Sequence, residues 1–249
     1  MSNYDYSLSG MANIEWVVVR GVTFAIVCCS QRGHPSNWSF RDEVETRDTW
    51  WDVRPDQVVL DVGADFGSYS LPALALGAAK VIAWSPPFKL AEMPLEALTM
   101  KMSAWENGFE DRLTVHESGL WSQRGWLAAF DGPRMPQFFG TAAEAKAAIR
   151  GQSGHVSAFP VKPLDSMFDQ FDRVDWIKID TEGCELPILR GAEQTLRTFR
   201  PKVITENHYH LDPECEFKCD SFLFDLGYKK IGTRPHHSVS HSFYVAEPG

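Results

Sequence analysis

From residue 58 onward the chain alternates short, continuous apolar runs with helix-like stretches. The runs at Val58–Val62, Lys80–Trp84, 113–117, 174–180 and Lys202–Asn207 are short and rich in β-branched residues. Runs of that kind suit strands buried on both faces of a parallel sheet. Between them, 68–76 reads as a helix stopped by Gly77, which can take the left-handed conformation that closes a helix. Pro187 stands near the start of a second helix, and Glu193–Phe199 carries a third up to Pro201, which bars further helix. Residues 215–226 read as a last helix. The segments 228–232 and 241–247 then read as two strands, joined by a loop holding His236, His237 and His241. The predicted class is α/β, a mostly parallel sheet finished by an antiparallel hairpin.

Two regions fall outside the alternation. Residues 1–54 form an N-terminal extension, with a hairpin in 16–29 and a polar, tryptophan-containing helix near 40–51. Residues 123–160 form an insertion that begins "QRGWLAAFDGPRMPQFFG". It holds a helix at 142–149, with Thr141 and Glu144 spaced as a capping box. A long excursion at the ligand-binding edge of such a sheet is either a lid or acceptor loop, or a plain surface insertion. No internal repeat or low-complexity segment interrupts the chain.

Composition narrows the partners. The 249 residues, 44% hydrophobic, suffice for one packed core. A net charge of −9 argues against nucleic acid, whose phosphates call for excess Lys and Arg. A small molecule or glycan is the expected partner. The early apolar stretch 16–29 is broken by Arg20 and Gly21 and falls short of the roughly 20 residues that span a bilayer. The N-terminus has no basic-then-apolar secretory pattern. Five cysteines, two of them adjacent, make a poor disulfide framework, so a reducing, cytoplasmic setting is expected.

The first strand runs into Asp61-Val62-Gly63-Ala64-Asp65-Phe66-Gly67. In open α/β sheets ligands sit beyond the carboxyl ends of the strands, near the first one. Gly63 and Gly67 would let a ligand approach with no Cβ in the way. The dinucleotide pattern G-x-G-x-x-G is not met. Pyrophosphate would favour bare amides over two carboxylates, whereas Asp61 and Asp65 suit an ammonium or sulfonium. S-adenosylmethionine fits that description. A tight strand-to-helix turn with glycines for packing alone fits the same residues.

"VVLDVGADFGSYS", followed by "VKPLDSM", "VDWIKIDTEGCELPILRGAEQTL" and "RPKVITENHYH", resembles the FkbM family of S-adenosylmethionine-dependent O-methyltransferases over roughly residues 55–210. The most specific part is "IKIDTEGCELPILRGAE". The resemblance implies a Rossmann-like class I methyltransferase fold in 55–249, with a mostly parallel seven-stranded sheet ending in the antiparallel hairpin. It implies methyl transfer to hydroxyls of sugars or natural products. By the resemblance, Asp61, Gly63, Ala64, Asp65 and Gly67 form the cofactor loop, and Glu117, Ser118 and Gly119 lie beside the adenine. One departure stands out. Where the family has a glutamate accepting from both ribose hydroxyls, this chain has Ser85. A hydroxyl makes one such bond, without the charge assistance of a carboxylate. The loss is on the order of 1–3 kcal/mol in cofactor binding. Either Glu92 supplies the carboxylate from the following helix, or affinity is lower, or the cofactor site is degenerate.

Asp180 and Glu182 flank Thr181 after the fourth strand, and Glu206, Asn207 and His208 end the fifth, so both sets face one edge of the sheet. A sugar hydroxyl barely ionises near pH 7, and a base helps its displacement at carbon. His208, with a reference pKa near 6.5, is expected to be mostly neutral and to accept the proton. Asp180, Glu182 and Glu206 would shape the acceptor pocket, with Asp180 also beside the cofactor. Helix capping is the other reading of Asp180 and Glu182, and a hydrogen-bonded structural residue that of His208. Asp180, Glu206 and His208 could hold Mg²⁺, although no dedicated ligand pattern is present and no metal is expected. The spacing of His208, His210, Cys215 and Cys219 matches no familiar zinc finger; the two cysteines, four apart on one helix face, read as core. Trp121 and Trp126 could stack on adenine or a sugar, and Trp50 and Trp51 read as packing. Two other functions stay open: methyl transfer to a carboxyl or amine, and a non-catalytic binding protein.

Overall fold

The computed structural model describes residues 12–29, 40, 44–87, 95–130, 134–152 and 156–248. The extension holds β1 (Ala12–Val19) and β2 (Val22–Cys29), an antiparallel hairpin, and then α1 (Val44–Trp50). After it come β3 (Val58–Val62), α2 (Ser70–Ala75), β4 (Lys80–Trp84), α3 (Leu95–Glu106) and β5 (Leu113–His116). The insertion follows, with β6 (Gly119–Leu120), β7 (Gly125–Ala129), β8 (Gln137–Phe139), α4 (Ala142–Ala148) and β9 (Ser157–Lys162). The rest is β10 (Trp176–Ile179), α5 (Glu185–Arg190), α6 (Glu193–Phe199), β11 (Lys202–Asn207), α7 (Cys215–Asp225), β12 (Tyr228–His236) and β13 (Val239–Ala246).

The main sheet has seven strands in the order β12-β13-β11-β10-β3-β4-β5. β11, β10, β3, β4 and β5 are mutually parallel, and β13 is antiparallel to both β11 and β12. Only β13 therefore runs against the rest. The chain builds outward from β3 to β5, then returns to add β10 on the other side of β3. That reversal leaves a crevice beyond the carboxyl ends of β3 and β10, where α/β sheets hold their ligands.

Alternation along the strands divides the core. Leu60, Val62, Ile177 and Ile179 face one layer, with α5 to α7 and the insertion; Val59, Val81 and Trp176 face the other. The extension belongs to that second layer. Phe24, Ile26 and Cys28 of β2 are buried there, and the β2 backbone bonds to the side chains of Asn107 and Ser103 at and just beyond α3. Trp51 lies between Tyr69 and Trp176, at 5.0 and 4.9 Å.

Three expectations need correcting. The insertion is not loop plus helix: its strands form a separate four-stranded sheet, β6-β9-β7-β8, although the expected capping box of Thr141 and Glu144 is present on α4. The terminal hairpin is longer than 228–232 and 241–247, so His241 is a fully buried residue of β13 and only His237 and Ser238 remain between the strands. The helix expected after the second of these strands is α3, whose bounds the sequence pattern did not mark, and Glu92 lies outside the described residues. Among the described residues no helix is long and apolar enough to cross a membrane.

Candidate active site

The turn after β3 is held from behind. The amides of Gly63 and Ala64 both donate to the carbonyl of Trp84 at the end of β4, at 3.0 and 2.9 Å. Gly63 has φ +77° and Gly67 φ +92°, values that favour glycine. What lies against the bare backbone is protein. A Cβ on Gly63 would stand 1.7 Å from the Asp180 carbonyl oxygen, and one on Gly67 would stand 2.8 Å from Met100 Cγ. The open approach expected for a ligand is thus taken at Gly67 by Met100. At Gly63 it is taken by the neighbouring β10 turn, while the residue still lines the cavity.

Asp61 is likewise turned inward. Its carboxylate accepts from Ser70 Oγ at 2.6 Å and lies 3.8 Å from Lys178 Nζ, both buried. Lys178 also donates to the Gly63 carbonyl at 3.1 Å and to Asp180 at 2.9 Å. One buried ammonium therefore ties β10 to the glycine turn and balances two carboxylates.

A cavity of about 600 Å³ opens over these strand ends. Gly63, Asp65, Trp84, Ser85 and Glu96 reach it from the ends of β3 and β4 and from α3, Asp180, Glu182, Glu206 and His208 from the ends of β10 and β11, and Leu127, Ala129 and Phe159 from the small sheet. Asp65 adopts φ +46°. Crowding by protein atoms, and then the charge of Glu96, push its carboxyl up to about 7; the side chain is exposed, so water in the cavity tempers that rise.

On the far side His208 is almost fully buried. Its Nδ1 is 2.9 Å from Glu185 Oε1, and its Nε2 faces Glu182, Asp180 and Glu206 at 3.5, 3.7 and 3.8 Å. Glu185, wholly buried at the start of α5, also accepts from the amides of Thr181 and Gly183, at 3.2 and 3.1 Å, and from the Cys215 thiol. It closes the turn after β10 and fixes the imidazole. Burial disfavours a charged His208, but the bond to Glu185 and the charges of Asp180, Glu185 and Glu182 outweigh it and push the pKa up to about 9. The expected neutral ring is thus an imidazolium at pH 7. Burial also opposes the Asp180 carboxylate, yet Lys178, a hydrogen bond with the Glu206 side chain and His208 hold its pKa below the usual range.

Asp180, Glu206 and His208 bring one ligand atom each within 4.8 Å of one another, a spacing that a divalent cation could use. Asp180 already has the Lys178 ammonium, and we assign no ion there. Cys215 and Cys219 are buried in α7, as read for core cysteines, while His210 is exposed.

The cavity thus gathers Gly63, Asp65, Ser85, Asp180, Glu182, Glu206 and His208 from the sequence reading. Asp61, Ala64 and Gly67 lie behind it. Glu117 pairs with Lys101 at 2.6 Å on the surface, Ser118 follows it, and Gly119 is buried in β6 against Phe159 and Val161; none of the three lines the cavity. Trp121 stacks on Phe138 at 5.9 Å, and Trp126 carries Lys146 over its ring. Sequence reasoning missed Glu96, Glu185, Lys178 and Trp84. The Lys178 and Glu185 positions were within reach, since both belong to the "IKIDTEGCEL" run, spaced to bracket the strand end.

The profile of the methyltransferase FkbM domain matches residues 61–230. Among solved structures, the chain is similar to the methyltransferase FkbM from Methylobacillus flagellatus KT. The two share 21% identity over 76% of this chain and 44% of that one, with a TM-score of 0.53. A candidate S-adenosylmethionine-dependent methyltransferase from Streptococcus mutans is similar at 8% identity, over 94% of this chain and 55% of that one, with a TM-score of 0.51. At these identities the likeness speaks for the fold. The chain spans about half the length of both structures. No curated protein matches it.

Proposed function

The chain belongs to the FkbM methyltransferase family, and from that premise we propose that it methylates a hydroxyl of a sugar, glycan or natural product at the expense of S-adenosylmethionine. The observation that carries this reading is the single cavity shared by the glycine-turn side and the acid–histidine side. Its residues fit the group: Glu96 and Asp65 both line the cavity, one Glu96 carboxylate oxygen is buried with no partner among the described residues, and hydroxyl-bearing or cationic ligands satisfy such atoms. S-adenosylmethionine, when bound, supplies a methyl group activated by a sulfonium.

The protein's own part is proton handling and placement. Glu185 keeps the proton on Nδ1, so Nε2 is the atom that faces the cavity. A pKa near 9 leaves about one ring in a hundred neutral at pH 7, but that form is a stronger base than an ordinary histidine. In it, Nε2 takes the proton of the acceptor hydroxyl, and the imidazolium that results is stabilised by Asp180, Glu182 and Glu206. The same three acids repel a carboxylate acceptor, which favours a neutral hydroxyl. Incubation with methyl-labelled S-adenosylmethionine and a panel of glycans and hydroxylated natural products tests the proposal. Label should appear as an ether in a product; label only in esters or amines would redirect the assignment.

A further inference from the structure

Glu96 lies in the first turn of α3, is 8% exposed, and lines the cavity, as Ser85 does. Its Oε2 has no hydrogen-bond partner among the described residues. A carboxylate withdrawn from water without a partner is costly, and native proteins rarely keep one without a use. Burial raises its pKa, opposed by a hydrogen bond from its own amide. Among the described residues no cation figures in its titration, and the residue whose titration it most visibly disturbs is another acid, Asp65. Ser85 cannot serve in its stead, because its Oγ is directed at the Asp65 carbonyl, 3.4 Å away, and its amide at the His116 carbonyl.

Position decides which part of a ligand Glu96 would meet. The methyl group must reach His208, at the β10 and β11 ends. Glu96 instead acts on Asp65, whose carbonyl the Ser85 hydroxyl reaches from the β4 end, so it faces a remote, non-reacting part of the ligand. A neutral vicinal diol offers one carboxylate two O–H donors. Resting on the S-adenosylmethionine reading above, we infer that Glu96 is the acceptor for the ribose hydroxyls, supplying from α3 the carboxylate that Ser85 does not.

Calorimetry on the full chain tests this with S-adenosylhomocysteine and its 2′,3′-dideoxy analogue. Glu96→Gln should weaken S-adenosylhomocysteine about tenfold, and Glu96→Leu, which keeps the volume apolar, by more. Neither change should move the affinity for the dideoxy analogue. Equal losses for both ligands would show that Glu96 acts through packing, and unchanged affinity for S-adenosylhomocysteine would place the ribose elsewhere; either result overturns the inference alone. Wild-type protein that binds neither ligand would overturn the cofactor reading as well.

Discussion

The two sides of the cavity are built on opposite terms. On the β10–β11 side the charged groups answer one another: Lys178 serves Asp61 and Asp180, and Glu185 serves two amides, a thiol and His208. On the β4 side Ser85 makes one long bond through its hydroxyl, and Glu96 keeps an oxygen with no partner among the described residues. The first side is tied together by its own side chains, which fixes His208 in place as proton transfer requires. The second is completed only by what binds. Conserving internal pairs and leaving others open is how one cavity can combine fixed chemistry with exchangeable contents.

Deleting an acid from each side should break this contrast most sharply. Glu185→Leu strands the buried His208 ring and the amides of Thr181 and Gly183, and should lower stability by about 3–5 kcal/mol in denaturant unfolding. Turnover comes next. His208→Ala should slow it by roughly 10²–10⁴. In the wild type, the base is the ring without its extra proton and its pKa is about 9. Turnover should therefore rise about tenfold per pH unit between 7 and 9, then level off. A plateau already reached at pH 7 would point to a different base. Gly63→Ala, clashing with Asp180 and strained at φ +77°, should cost about 2–3 kcal/mol in the same unfolding experiment. Gly21→Ala has a similar φ of +81° but open space around it, and should cost about 1 kcal/mol. At the other extreme, Glu96→Leu without ligand should leave stability unchanged or raise it by about 1 kcal/mol. An unfolding penalty comparable to that of Glu185→Leu would erase the distinction between the sides.

Much of this was legible in the sequence wherever burial follows from the residue itself. The runs at Val58–Val62, Lys80–Trp84 and Lys202–Asn207 appear as strands with those limits because β-branched residues have no better place than a sheet interior. The small sheet escaped because its strands are short, and Gly125 and Pro160 interrupt the pattern. Glu96 and Glu185 stand in the first turns of α3 and α5, where an exposed acid is ordinary, and only tertiary packing buries them. The glycine turn was located correctly but for an incomplete reason, since the contact that excludes Cβ comes from Asp180, a residue 117 positions later in the numbering (180 minus 63). The charge on His208 depends on Glu185, which no spacing argument tied to that ring.

The most direct test of the account is a calorimetric titration of the full chain with S-adenosylhomocysteine, run side by side on wild-type protein and His208→Ala. If one side of the cavity holds the cofactor and the other moves the proton, both proteins should saturate at one ligand per chain with closely similar affinity, while only the wild type turns over. Absence of binding to the wild type, or its loss in His208→Ala, would contradict that division.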